Sequence, residues 1–400
     1  MKHRAIPMLQ HAFFQWGWLI AAILPLTQLG GRGLFNTLVS IYALWGLSTL
    51  WNHRYHLDRW LAPLYLALLG LFLLSIAGST DPVRSIQTWL QFTVNSIVLL
   101  LVPIALCEST DNIERFIKTL ALSGLLMLVG LYLMLPWYVL ELSGEPFSPI
   151  TQLKEDNLPF LLPFMLAGIW WYCPQRWRIM AMTSVTMVAV AYVALAEGRA
   201  ALLGLVVGLT VFCWRVLNWR LWRISSVALL VLIAGIAMNS TPFNKVELDP
   251  GHPLDAFTAG RTILWQQALE NPPVQPWLGV GIGNGRTATQ MLSFDLGGIT
   301  HQVRHLHNFV LDAWYETGFL GAGLLLALIA TALIRLAHHW RCLSTIDQQR
   351  AGVLLAATLA LMATGLLSFS YTTRQFSCYL FICLGGLSYF SQQHNTDTAL

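Results

Sequence analysis

The chain is predicted to fold as an all-α polytopic membrane protein with about 12 transmembrane helices and one long loop on the outer side. Three observations predict it. Hydrophobic residues make up 56% of the chain and charged residues only 10%, at a mean hydropathy of +0.59, whereas a soluble domain carries about 25% charge. Apolar blocks of about 20 residues, the length that spans a bilayer, recur from Phe13 almost to the C-terminus. Only short polar punctuation separates most of them, so residues 1–400 read as a single integral membrane domain with no separate soluble unit.

In chain order the expected spans are 13–29, 33–51, 60–79, 88–106, 116–139, 158–173, 179–196, 200–214, 224–240, 318–334, 351–371 and 376–391. The N-terminal MKHRAIPMLQHAFF is basic and runs into the first block without a small-residue cleavage site, which reads as an uncleaved first span. Trp16, Trp18, Trp51, Trp60 and Trp89 form the interfacial aromatic belt of the early spans. With the N-terminus inside, 14 of the 23 Lys and Arg residues fall on the cytoplasmic side. Of the outer nine (Arg32, Arg84, Lys154, Arg199, Lys245, Arg261, Arg286, Arg304 and Arg374), four sit in the long loop, which the positive-inside rule discounts. Both termini are therefore expected in the cytoplasm. The loop 51–60, with His53 and His56, is a solvated inner loop on this reading. The six cysteines show no Cys-x-x-Cys or Cys/His metal spacing and none lies in the long outer loop, so no disulfide framework is expected.

The outer segments hold the chemistry-bearing side chains. Residues 141–157, ELSGEPFSPITQLKEDN, are rich in turn formers and read equally as a lid or a connector. ALAEGRAALLG (194–204) sets Glu197 and Arg199 at the outer membrane edge, where an arginine pairs or faces a wet cavity; its alternative role is an ion pair with Glu197. The inner WRVLNWRLWR (214–223) reads as a snorkelling lipid-headgroup belt, not a nucleic-acid patch. In the long loop, GRTILWQQALE (260–270) has helical spacing, with Arg261 in the first turn where backbone N–H groups favour anions. LGVGIGNG (278–285) lacks the βαβ context of a dinucleotide fingerprint and serves either ligand approach or turn geometry. The most informative stretch is ITHQVRHLHNFVLDAWYETGFLGAG, which gathers His301, Arg304, His305 and His307 before an apolar segment opening near Gly318, with Asn308, Asp312 and Glu316 on a polar helix face.

His307-Asn308 followed after nine residues by Gly318-x-x-Gly321 resembles the signature of bacterial O-antigen ligases and their polysaccharide-polymerase relatives. Gly198-Arg199-Ala200 stands where that family commonly carries a Ser-Arg-Gly turn, and the helix start at Gly260-Arg261, the Trp265 that follows and the glycine run are also similar to it. The resemblance implies a GT-C-like glycosyltransferase architecture in the Gram-negative inner membrane, with a periplasmic active site built partly on residues 241–317. It implies undecaprenyl-pyrophosphate-linked O-antigen as donor and lipid A-core as acceptor. Arg199 and Arg261 are then the pyrophosphate-binding residues, since a guanidinium fork matches phosphate oxygens. His307 is the expected general base, and His305, Arg304, His301, Arg286 and Asn308 are candidate donor or acceptor contacts.

No Asp-x-Asp occurs in an outer segment, so the arginines are expected to carry the leaving-group charge with no metal or other cofactor. His301 and His305 have the i, i+4 spacing of two metal ligands on one helix face, but without a Glu between them they serve equally as phosphate donors. The competing readings are an O-antigen polymerase or a protein O-oligosaccharyltransferase using the same donor. A secondary transporter, of a different class, would need ionisable residues or broken helices near mid-membrane, and the expected spans hold charges only toward their ends.

Overall fold

The computed structural model describes residues 2–50, 53–142, 155–196, 198–219, 261–285, 293–296, 299–302 and 305–392. Its helices are α1 (Lys2–Ile23), α2 (Gly31–Leu50), α3 (Leu61–Ser75), α4 (Pro82–Ser96), α5 (Val98–Leu106), α6 (Thr110–Leu142), α7 (Leu158–Tyr172), α8 (Gln175–Leu195) and α9 (Arg199–Arg215), then α10 (Arg261–Glu270), α11 (Phe309–His339), α12 (Thr345–Gly365) and α13 (Arg374–Gln392). Strands β1 (Ser293–Leu296) and β2 (Ile299–Gln302) pair antiparallel, with Leu296 opposite Ile299. These eight residues are a small addition to an otherwise helical fold, in keeping with the all-α expectation.

Six described stretches are long and apolar enough to cross a membrane: Leu26–Leu50, Leu61–Gly78, Pro82–Leu106, Asp111–Met134, Gln175–Leu195 and Phe309–Cys342. They expose apolar side chains that a water-soluble fold would bury, among them Leu44 at 71%, Leu66 at 61% and Leu133 at 72% relative exposure. This is the surface expected of helices solvated by lipid tails, and the protein is an all-α membrane protein. The expected span at 224–240 lies outside the described residues.

Local sequence explains where helices start and stop. Asp81 caps α4 by accepting the Arg84 N–H at 3.1 Å, with Pro82 in the first turn. The first helix ends earlier than the expected span 13–29: α1 stops at Ile23, before Pro25, and residues Leu26–Gly30 form a separate 3₁₀ turn. Asp58 accepts the N–H groups of Trp60 and Leu61 ahead of α3 and meets Arg335 of α11 at 3.1 Å. A second ion pair at this end, Arg350–Glu114 at 2.7 Å, joins α12 to α6.

Inside the bundle, small residues let backbones close on one another, the usual basis of helix association in lipid. A Cβ on Gly204 of α9 would lie 2.0 Å from Thr364 Oγ1 and 2.8 Å from the Ala360 carbonyl of α12. Phe72, Phe92, Tyr371 and Phe381 pack edge-on or tilted, with centroids 5.2–6.0 Å apart, and tie α3, α4 and α13 beneath the polar cluster described next.

Candidate functional site

α11 enters the bundle through a break that organises the region. Gly318 sits at φ 70 and ψ −173, a conformation open to glycine, inside an otherwise continuous helix. The break releases backbone groups that a helix would pair internally, and the turn formed by residues 276–281 takes them up. Val280 and Gly281 donate to the carbonyls of Tyr315 and Glu316 at 3.2 and 2.8 Å, and Phe319 and Leu320 donate to those of Pro276 and Trp277 at 2.9 and 3.4 Å. A Cβ on Gly318 would lie 2.1 Å from the Trp277 carbonyl carbon.

The glycine-rich run is therefore built into the packing. Glu316, 5% exposed, accepts the Gly283 N–H at 2.8 Å, the Gly285 N–H at 3.1 Å and the Tyr371 hydroxyl at 2.8 Å. On its other side the turn is held by Ser85, whose hydroxyl donates to the Ile282 carbonyl at 2.8 Å. Of the two sequence readings of these glycines, turn geometry is the one the hydrogen bonds bear out.

His307 stands immediately before α11, not within it. Asn308 is the helix cap, its Oδ1 accepting the N–H groups of Val310 and Leu311 at 3.0 and 3.1 Å. The helix itself starts at Phe309, ahead of the expected opening near Gly318. His307 has φ 54, a left-handed conformation uncommon for a side chain of its size. The chain around it is pinned by Asp312 Oδ1, which accepts the Leu306 N–H at 2.8 Å, and by Trp265 of α10, whose indole donates to the Leu306 carbonyl at 2.8 Å.

The His307 ring is oriented through Nδ1, 3.2 Å from the Ser368 carbonyl oxygen. A carbonyl only accepts, so Nδ1 carries the hydrogen, and in the neutral imidazole the Nε2 atom holds the lone pair that can take up a proton. The His305 ring meets that of His307 edge-on at a centroid distance of 4.1 Å. His301 lies in β2, so His301 and His305 do not share a helix face, and the two-ligand helical spacing is corrected. Among the described residues no group of three or more His, Cys, Asp or Glu side chains is placed to hold a metal ion.

Ser368 links His307 to an acid that the sequence reading passed over. Its hydroxyl donates to Asp156 Oδ2, and Asp156 is 3% exposed. Asp156 belongs to a 3₁₀ turn, Glu155–Asn157, at the end of the segment read as lid or connector. Asn157 extends the anchorage by donating to Gln28 Oε1 at 3.0 Å.

Arg199 and Arg261 come together beside these acids. Each is the first residue of its helix, α9 and α10, where first-turn N–H groups favour an anion. Burial pulls the Arg261 guanidinium below its ordinary pKa; Asp156 opposes this, Arg199 adds to it and Glu155 opposes it again. The cluster thus sets two guanidiniums against two carboxylates. Glu155 also packs on the turn before α9, where a Cβ on Gly198 would lie 2.4 Å from Glu155 Cγ. Arg304, Arg286 and the alternative partner Glu197 lie outside the described residues, as does the side chain of His301.

Of the predicted residues, then, Arg199, Arg261, His305, His307 and Asn308 fall in one region. Glu155, Asp156, Ser368, Tyr371 and the fixing role of Glu316 emerge from the fold. The weak signal for the first two was an acidic pair, Glu155-Asp156, closing an outer loop against an apolar span.

Lipid-facing helices and a cationic, histidine-bearing cluster at one end of the bundle define a polytopic membrane protein with a polar site at its rim. The family model described as O-Antigen ligase matches residues 186–326, a stretch that includes Arg199, Arg261 and His307. This match, over about a third of the chain, supports the resemblance to the O-antigen ligase family read from His307-Asn308 and Gly318-x-x-Gly321. The match suggests a function of the O-antigen ligase and polymerase type. No curated protein matches the chain.

Proposed function

We propose that the chain transfers O-antigen polysaccharide from undecaprenyl pyrophosphate to a sugar hydroxyl of lipid A-core. The observation that carries this reading is the convergence of Arg199, Arg261 and Asp156 with His307, joined through Ser368. The two guanidiniums bind the donor pyrophosphate and stabilise the charge that develops on it as the glycosidic C–O bond breaks. The acceptor hydroxyl attacks the same carbon and its proton passes to His307 Nε2, a role typically worth ~10²–10⁴-fold in rate. A single displacement of this kind inverts the donor carbon.

His305, edge-on to His307, lies on the acceptor side, with His301, Arg304 and Arg286 as further contacts of the donor or acceptor. Asn308 acts by holding the backbone at the start of α11. Neither a metal nor another cofactor is needed, because the arginines carry the charge. The whole chain, 1–400, forms one GT-C-like membrane domain of about 12 spans, and the loop 241–317 supplies part of a periplasmic site in the Gram-negative inner membrane. Both termini then lie in the cytoplasm, in keeping with the bias of Lys and Arg toward the inner segments.

The test is ligation by the purified chain with undecaprenyl-pyrophosphate-linked glycan, lipid A-core and excess EDTA, read as a ladder of product on a gel. A ladder supports both ligase function and metal independence. A ladder only after added Mg²⁺ overturns the mechanism and keeps the function. Donor binding without a ladder in either condition would move the assignment to the polymerase or the protein-glycosylating reaction.

A further inference from the structure

At the end of the bundle opposite His307, the last turn of α9 leans on the start of α12 and the end of α11. The approach is close: a Cβ on Gly352 of α12 would lie 3.1 Å from Arg215 Cβ. Arg215 is held between two indoles, its Cζ 3.7 Å from the ring centroid of Trp214 and 4.7 Å from that of Trp340. Among the described residues it has no carboxylate partner, and its buried Nε has no hydrogen-bond acceptor. An arginine so placed is oriented for an anion that the described chain does not supply.

Two cavities meet at this arginine. One, about 210 Å³, is polar, with Asn218 and Trp219 on one side and Thr345, Gln348 and Gln349 in the first turns of α12 on the other. The second, about 270 Å³, runs between α11 and α12 and is lined by Leu333, Leu336, Ala337 and Leu355, with Arg341 at its edge. Leu355 lies ten residues into α12, about 15 Å from the helix start at the rise of an α-helix. That depth suits an acyl chain and is unsuited to a soluble anion.

We propose that this junction is a binding site for an anionic phospholipid, with the phosphate on Arg215 and Arg341, the headgroup in the polar cavity and one acyl chain in the apolar crevice. Phosphate is matched by the guanidinium fork, and tryptophans such as Trp214 and Trp340 are the side chains usual beside lipid headgroups. The site is separate from the histidine cluster. It stands on geometry alone and does not depend on the proposed transferase activity.

Native mass spectrometry of the full chain in detergent tests it, with phosphatidylglycerol and phosphatidylcholine of the same acyl composition as probes. Phosphatidylglycerol is expected to bind about tenfold or more tightly than phosphatidylcholine, the scale of one good charge-assisted contact, and Arg215→Gln should abolish that preference. Leu355→Trp fills the crevice without touching charge and should weaken both lipids, which keeps the site testable if Arg215→Gln does not fold. Equal binding of the two lipids by the wild type, or an unchanged preference in folded Arg215→Gln, would overturn the proposal. So would competition by inorganic phosphate at concentrations comparable to the lipid, because the crevice would then contribute nothing.

Discussion

The carboxylate of Glu316 accepts the backbone N–H of Gly283 at 2.8 Å and so fastens the glycine-rich turn to the broken helix α11. The same carboxylate takes the Gly285 N–H and the Tyr371 hydroxyl. One buried side chain thereby sets the spacing between the outer loop, α11 and the segment before α13.

Glu316→Ala leaves two buried N–H groups and a hydroxyl without their acceptor. A loss of about 3 kcal/mol in stability is expected from hydrogen bonds to a charged group, seen as a lower melting temperature of the detergent-solubilised protein. Unchanged melting would show that the turn holds without this carboxylate.

Gly318→Ala must adopt φ 70 with its Cβ against the Trp277 carbonyl, so strain of ~1–3 kcal/mol adds to the clash. Gly323→Ala, five residues on in the same helix, meets nothing within 4 Å and is the matched control. Comparable melting temperatures for the two variants would contradict the break in α11.

His307→Ala should leave an inserted, folded protein whose ligation rate falls by ~10²–10⁴-fold. Ser368→Ala keeps the carbonyl that orients His307 but frees Asp156, so its loss should be smaller. A His307→Ala variant that ligates at close to the normal rate removes the histidine from the reaction.

Arg199→Lys and Arg261→Lys keep the charge and lose the bidentate fork. Donor KM should rise in both, by about tenfold for one charge-assisted contact. Wild-type donor kinetics in both variants would exclude the pyrophosphate role.

A pH effect is expected at the other end of the molecule, where burial lowers the pKa of His53, and burial together with His53 lowers that of His56. The folded chain then binds fewer protons at these sites than the unfolded chain. Stability is therefore insensitive to them above the ordinary imidazole value near 6.5 and declines as pH falls through it. Melting curves from pH 7.5 to 5 should show a drop that His53→Gln reduces; an equal drop in that variant would assign the effect elsewhere.

Much of this architecture was legible in the sequence because it follows from one-dimensional patterns. Lipid exposure demands long apolar runs, so the six described stretches long and apolar enough to cross a membrane could be read directly. An Arg at the start of a helix and a His-Asn pair before a span are local features too, and they drew attention to Arg199, Arg261, His307 and Asn308, though not to the role of Asn308 as a helix cap. What the tertiary structure alone decided is how distant segments satisfy one another. Glu316 looks like a polar helix face until the break at Gly318 turns its carboxylate toward Gly283 and Gly285. Asp156 looks like the end of a connector until Ser368, 212 residues away, donates to it. The physical reason is that a buried carboxylate must find donors, and in a bundle of lipid-facing helices those donors come from whichever chain segments the packing brings to the same rim.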